Sequence, residues 1–125
     1  MECRVAIVDD DPRFRRALGR LIRAAGFQAD AYGSGAEFLD AASRSLPDCV
    51  VLDLEMPGVN GFDVQERMAE HELRVPVIVV TGYDTPEAEA RALKGGARAY
   101  LRKPVDEALL LNAIRRSLIG DQAKR

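Results

Sequence analysis

The sequence has little of what several kinds of binding site require. It contains two cysteines, Cys3 and Cys49, and a single histidine, His71, among 125 residues. Both cysteines lie in apolar, strand-like runs, so we expect two buried thiols in a reducing compartment and not a disulfide or a metal pair. No second histidine or cysteine lies at metal-binding spacing, so a zinc site is not supported, and His71, between two glutamates, is expected on the surface. These features predict a cytoplasmic location.

An excess of one charge is also missing, as is any long apolar run. The formal net charge is -2, which gives no reason to expect binding to nucleic acid or to a membrane surface. No apolar run is long enough to span a bilayer, and the first residues lack the layout of a signal peptide. No repeat or linker divides the chain. We therefore expect one domain over 1–120, a short tail over 121–125, and no output domain.

What the chain does contain is a regular alternation of two patterns. Runs rich in apolar and β-branched residues predict strands, and apolar residues at helical spacing, with capping residues before them, predict helices. Asp11 and Pro12, for example, are suited to the cap and first position of a helix that Gly26 would close. The predicted strands cover 4–8, 27–32, 49–53, 75–81 and 99–101, and the predicted helices cover 12–25, 34–42, 60–70, 85–94 and 106–118.

Five successive strand–helix units predict an α/β fold. Such units form a parallel sheet with helices on both faces, because the crossovers between parallel strands are right-handed. Five strands fit the flavodoxin-like, doubly wound order 2-1-3-4-5. Ligands of these folds bind beyond the carboxyl ends of the strands, near the switch point between strands 1 and 3.

Charged and polar residues follow the strands at that edge. Asp9 and Asp10 follow the first strand, Asp53 ends the third, Thr81 ends the fourth and Lys103 follows the fifth. Three carboxylates at one place repel each other unless a cation compensates them, and Mg²⁺ prefers oxygen ligands. A metal, an ammonium and a hydroxyl around one carboxylate suit phosphoryl transfer, with Asp53 as the attacking group.

These residues, in this order, resemble the receiver domain of bacterial two-component response regulators over nearly the whole chain. The Met-Pro-Gly loop and the Gly82-Tyr83 turn are most similar to receivers that regulate nitrogen fixation or precede helix-turn-helix output domains. The matching stretches are Val8-Asp9-Asp10-Asp11, Leu52-Asp53-Leu54-Glu55-Met56-Pro57-Gly58, Asn60-Gly61, Val80-Thr81-Gly82, Gly96-Ala97, Tyr100 and Lys103-Pro104.

The resemblance implies a phosphoacceptor and a metal site. Asp53 would accept a phosphoryl group from a phosphohistidine. Asp10 would bind Mg²⁺ (or Mn²⁺) directly, Asp9 through water, Asp53 through one oxygen and Glu55 through its backbone carbonyl. The domain would catalyse only its own phosphorylation and dephosphorylation, so it would be a signalling module and not an enzyme with free turnover.

The resemblance also implies a switch. Lys103 would pair with the phosphoryl oxygens, and its bond to Pro104 is commonly cis in the family. Thr81 would move to the new phosphoryl group, for which the small Gly82 leaves room. Tyr100 would then turn from an exposed to a buried rotamer and change the surface of helix 4, strand 5 and helix 5.

Two residues that border the site depart from commoner receiver patterns. Glu55 could pair with Lys103 or crowd the metal. Tyr83 could shield the phosphoryl group from water. The sequence does not decide which effect prevails.

The partners implied are a sensor histidine kinase or a histidine phosphotransfer protein, and a second copy of the chain through the helix 4–strand 5–helix 5 face. Direct nucleic-acid binding is not expected, because no base-reading element accompanies the basic residues. One face of helix 1 is either a solubilising surface or a docking surface for the kinase, and its residues are Arg13, Arg16, Arg20 and Arg23.

Two other functions are weighed against this one. A degenerate receiver would act only as a protein-interaction module, which the complete set of site residues disfavours. An aspartate-dependent phosphohydrolase would also use Asp53 as its nucleophile. Those enzymes place an aspartate two residues later, however, where this chain has Glu55, and no cap insertion is present.

Overall fold

The computed structural model describes residues 3–123, with side chains described as far as Ile119. Strands and helices alternate along these residues, as the sequence predicts. They are β1 (Arg4–Val8), α1 (Pro12–Ala24), β2 (Gln28–Tyr32), α2 (Gly35–Ala42), β3 (Cys49–Leu52), α3 (Gly61–Glu70), β4 (Val77–Thr81), α4 (Pro86–Lys94), β5 (Ala99–Arg102) and α5 (Glu107–Ala123).

The five strands form one parallel sheet in the order β2-β1-β3-β4-β5, which confirms the predicted fold class. Alternate residues of the strands point to opposite faces, and each face has its own apolar core. On one face, Ile7 and Val51 pack with Leu18 of α1 and Leu110 of α5. On the other face, the strands pack with residues of α2, α3 and α4. Every residue of β3 is buried, as expected for a strand covered on both sides.

Capping side chains set the helix starts where the sequence predicts them. Asp11 accepts a hydrogen bond from the Arg13 N–H at 2.9 Å, and Pro12 begins α1. Gly26 follows α1 with φ +97°, a backbone conformation that glycine adopts without steric cost. Asn60 caps α3 and forms a reciprocal capping box with Asp63.

The predicted boundaries differ from the observed ones at a few ends. β4 begins at Val77 and not at residue 75, because Pro76 has no N–H to donate to the ladder. β3 ends at Leu52, so Asp53 lies just beyond the strand. α5 continues past Leu118, the last predicted helical residue, to Ala123.

The prediction of two buried thiols holds for Cys49 but is wrong for Cys3, which is partly exposed because it precedes the first residue of β1. Cys3 and Cys49 are both free thiols. Burial raises the pKa of Cys49 to about 11, so this thiol is protonated and unreactive near neutral pH. Within residues 3–123, no helix is long and apolar enough to cross a membrane.

Candidate functional site

The strand order brings the predicted site residues to one edge of the sheet. β1 and β3 are neighbours, with Val8 paired to Leu52, so the residues that follow them emerge side by side. The Asp53 N–H donates to the Val8 carbonyl at 2.9 Å, which fixes the start of the β3–α3 loop against β1.

Three carboxylates converge there. Asp9, Asp10 and Asp53 each place an oxygen within 4.8 Å of the other two. Asp9 is 1% exposed and Asp53 is 5% exposed, whereas Asp10 is open to solvent. Two buried carboxylates and a third beside them form a site of concentrated negative charge that favours a cation.

Lys103 supplies positive charge from the end of β5. Its Nζ donates to Asp9 Oδ2 at 2.7 Å and lies 3.7 Å from Asp53 Oδ2. The Lys103–Pro104 peptide bond is cis, as the resemblance implies. The ion pairs described for Lys103 are with Asp9 and Asp53, while the side chain of Glu55 faces solvent.

The electrostatic environment of Asp53 disfavours its charge. Burial first, and then the neighbouring charge of Asp9, raise the pKa of Asp53 from its ordinary 3.8 to about 6, although Lys103 opposes the rise. The Asp53 carboxylate is therefore ionised at neutral pH, but its charge destabilises the folded protein. Binding of a cation would relieve that cost, because a positive charge favours the ionised form.

The oxygen-only composition of the cluster fits a hard divalent cation. Mg²⁺ and Mn²⁺ are bound by carboxylates, carbonyls and water, all of which this edge offers. The predicted fourth contributor, Glu55, lies beside the cluster, with its backbone N–H 3.4 Å from Asp53 Oδ1. The residues present thus fit the cation that the sequence predicts.

Two further residues contact the site, and the sequence did not predict them. Both belong to α1. Arg15 Nη1 donates to the backbone carbonyl of Asp9 at 2.7 Å. The ring of Phe14 lies under Lys103, with Nζ 4.2 Å from the ring centroid. Their position in the first turn of α1, soon after the acidic loop, is the sequence signal that points to them.

Thr81 and Gly82 mark the opposite side of the site. The Thr81 side chain is buried, and its Oγ1 accepts from the Tyr83 N–H at 2.9 Å. A Cβ atom at Gly82 would meet nothing within 4 Å, so the space beside Thr81 is open. The side chain of Tyr83 is 51% exposed.

Tyr100 lies on β5 and contacts the β4–α4 loop that follows Thr81. Its ring is half-buried against the core, and its hydroxyl donates to Asp84 Oδ1 at 3.1 Å. Asp84 Oδ2 in turn pairs with Arg102 Nε at 2.6 Å. Burial, followed by the Asp84 hydrogen bond and charge, raises the pKa of Tyr100 to about 12. The β4–α4 loop therefore links Thr81 to Tyr100.

The remaining candidates lie outside the site. His71 is exposed at the C-terminal end of α3, as predicted. The predicted basic face of α1 is open to solvent at each of its positions, Arg13, Arg16, Arg20 and Arg23.

The chain matches one protein family over most of its length. The family profile described as "Response regulator receiver domain" matches residues 5–115. Nodulation protein W of Bradyrhizobium diazoefficiens is 36% identical over 121 residues, which cover 97% of this chain and 53% of that protein. Transcriptional regulatory protein FixJ of Azorhizobium caulinodans is 34% identical over 114 residues, 91% of this chain and 54% of that protein. The chain thus spans about half the length of these curated relatives.

Solved structures have the same fold. A CheY-like response regulator receiver domain protein from Methanospirillum hungatei superposes with a TM-score of 0.94 at 25% identity, over 100% of both chains. This similarity agrees with the strand order and the placement of the helices.

Proposed function

Because the chain belongs to the response regulator receiver family of two-component systems, we propose that it accepts a phosphoryl group on Asp53. One observation carries this assignment: Asp53 lies buried within reach of Asp9, Asp10 and Lys103 at the carboxyl edge of the sheet. The neighbouring strand β4 ends in Thr81 at the same edge. The carboxylate of Asp53 therefore shares this edge with the ammonium of Lys103 and the hydroxyl of Thr81.

The chemical step is a displacement at phosphorus. An ionised Asp53 oxygen attacks the phosphorus of a phosphohistidine, an O–P bond forms, the P–N bond breaks, and its electron pair returns to the imidazole nitrogen. With a pKa of about 6, Asp53 is ionised at neutral pH and ready to attack. Lys103 is already 3.7 Å from Asp53 Oδ2, and its ammonium would pair with the phosphoryl oxygens.

We assign the cation site to Asp9, Asp10, Asp53 and the backbone carbonyl of Glu55, with Mg²⁺ or Mn²⁺ as the ion. When bound, the cation would neutralise charge on the transferring phosphoryl oxygens. Asp9 keeps its place by accepting from the Asp11 N–H at 2.9 Å and from Lys103.

The hydrogen bonds of the β4–α4 loop support the proposed switch. Once Asp53 is phosphorylated, the Thr81 hydroxyl would donate to a phosphoryl oxygen, and the movement of its side chain would break the hydrogen bond that it accepts from the Tyr83 N–H. The loop would then move and release the Tyr100 hydroxyl from Asp84. We propose that this change alters the surface of α4, β5 and α5, which is also the surface for pairing with a second copy.

The proposed donor is a sensor histidine kinase or a histidine phosphotransfer protein, and the proposed setting is the cytoplasm. The exposed basic face of α1 supports docking of a donor beside the acidic site, because α1 begins at Pro12, two residues after Asp10. The domain would act as a signalling module that catalyses only the gain and loss of its own phosphoryl group.

The test is intact mass after incubation with acetyl phosphate, with and without Mg²⁺, for the wild type and Asp53→Asn. We expect one labile adduct that requires Mg²⁺ and is absent from the variant. Asp48→Asn, an exposed aspartate before β3, serves as the matched control and should still be phosphorylated. An adduct that persists in Asp53→Asn would refute the assignment, and sustained release of phosphate from small esters would indicate a phosphohydrolase.

If acetyl phosphate does not phosphorylate the wild type, the same measurement is repeated with a phosphorylated kinase domain as the donor. If neither donor phosphorylates the wild type, the chain is a receiver that works only through protein contacts. This outcome separates the degenerate module from the active receiver.

A further inference from the structure

The ammonium of Lys103 is held by three neighbours, and one of them is an aromatic ring. Nζ lies 2.7 Å from Asp9 Oδ2, 3.7 Å from Asp53 Oδ2 and 4.2 Å from the centroid of Phe14. The two carboxylates belong to the proposed phosphorylation site. Phe14 has no titratable or hydrogen-bonding group, so its contribution must be of a different kind.

The face of an aromatic ring attracts a cation through its quadrupole. Because the ring accepts no strong hydrogen bond, it can hold the ammonium while leaving the N–H groups free for oxygen atoms. The Lys103 side chain is only 24% exposed, so water weakens this attraction less than it would at an open surface.

Phe14 is itself well fixed. It lies in the first turn of α1, whose start is set by the Asp11 cap and Pro12. Its ring also packs against the core that α1 and α5 share. The loop that carries Asp9 and Asp10 therefore leads directly into the helix that holds the ring.

Lysine side chains are flexible, and confining one costs conformational entropy. In the present arrangement, Lys103 is nearer to Asp9 than to Asp53, and it must turn toward the phosphoryl group when Asp53 reacts. A ring beneath the ammonium would hold it in the site during this movement without competing with the phosphoryl oxygens for its protons, as the carboxylate of Asp9 does.

We propose that Phe14 is a positioning residue for phosphoryl transfer, which acts by holding the Lys103 ammonium over its ring face. The expected effect on the reaction rate rests on the proposed role of Asp53, whereas the contact between Phe14 and Lys103 does not. It predicts that the electron density of the ring, and not only its volume, affects the position of Lys103 and the reaction rate.

The first experiment measures the contact by NMR, without phosphorylation. Phe14 is replaced by 4-fluoro-, 3,5-difluoro- and 3,4,5-trifluorophenylalanine, which withdraw charge from the ring face with little change in size. We expect the Lys103 side-chain protons to show an upfield ring-current shift in the wild type, decreasing with each added fluorine and lost in Phe14→Leu. The same substitutions at Phe27, which packs on the same core, are the matched control and should leave Lys103 unchanged.

The second experiment measures the rate of adduct formation with acetyl phosphate and Mg²⁺ in the same series. We expect the rate to fall with each added fluorine at position 14, by about two- to tenfold for the trifluoro ring, and to stay constant for the series at position 27. Lys103 signals that do not respond to fluorination would overturn the contact. A response in the signals with unchanged rates would overturn the positioning role.

The two proposals fail in different ways. If the wild type forms no adduct, the proposed function is lost, while the NMR series still decides whether Phe14 holds Lys103. If the wild type reacts and the fluorinated series matches it, the proposed function stands and the role of Phe14 is refuted.

Discussion

Removing the charge of Asp53 should stabilise the metal-free protein at neutral pH. Asp53 is almost fully buried, and its pKa rises from 3.8 to about 6 on folding. A rise of this size corresponds to about 3 kcal/mol of unfavourable free energy when the group is ionised. This value already includes the attraction of Lys103, which lowers the pKa. Asp53→Asn removes the charge and can keep the acceptor for the Glu55 N–H.

The sign of the pH dependence follows from proton binding. Between pH 3.8 and about 6, the native state holds the Asp53 proton more tightly than the unfolded chain does. Stability therefore falls as the pH rises through this window and the full penalty applies above it. Asp53→Asn lacks this dependence, so its advantage should approach about 3 kcal/mol at pH 8, be about half of that at pH 5, and vanish below pH 4.

The assay is urea unfolding of both proteins at several pH values, with a chelator present so that no divalent cation neutralises the cluster. Burying an amide has its own cost, so we expect a gain of about 1–3 kcal/mol at pH 8, or roughly 4–12 °C in melting temperature. Asp40→Asn is the control, because Asp40 is an exposed partner of Arg44, and its change should stay within about 0.5 kcal/mol.

Two results would refute the reasoning. Asp53→Asn could prove no more stable than the wild type at pH 8, which would mean that the buried charge carries no net penalty. Alternatively, the difference could be the same at pH 5 and pH 8, which would mean that the effect does not arise from ionisation.

Three further predictions concern the surroundings of the site. Gly61→Ala should cost about 1–3 kcal/mol in urea unfolding and slow adduct formation, because its Cβ would lie 2.4 Å from the Asp53 carbonyl oxygen. Gly82→Ala, whose Cβ would meet nothing within 4 Å, should be near neutral in urea unfolding, and equal unfolding costs for the two variants would contradict the packing argument. Lys103→Ala should still bind Mg²⁺ in a calorimetric titration but give no switch in NMR spectra after phosphorylation, and a normal switch would exclude Lys103 from the mechanism. Asp11→Ala should cost about 1 kcal/mol through loss of the α1 cap, and an unchanged urea midpoint would show that the cap contributes nothing.

Much of the fold could be predicted from local patterns. The helix starts at Asp11, Asn60 and Thr85 depend on a side chain and an N–H two or three residues later, so neighbouring residues are enough to set them. The buried run of β3 indicates a strand covered on both faces. The alternation of strands and helices then limits the sheet to a few parallel orders.

The site residues could be predicted because strand ends of a parallel sheet share one edge. Asp9, Asp53, Thr81 and Lys103 each follow or end a strand, so the topology alone brings them together. A one-dimensional pattern therefore predicted which residues share this edge, although it gave no distances between them.

The tertiary structure alone decided the pairings within the site. The sequence left open whether Lys103 would meet Glu55, and the folded chain places it between Asp9, Asp53 and the ring of Phe14. Residues 14 and 103 are far apart in the chain, and their contact depends on how α1 packs against the sheet, which no local pattern encodes. The raised pKa of Asp53 has the same origin, because burial and a neighbouring charge act only once the chain has folded.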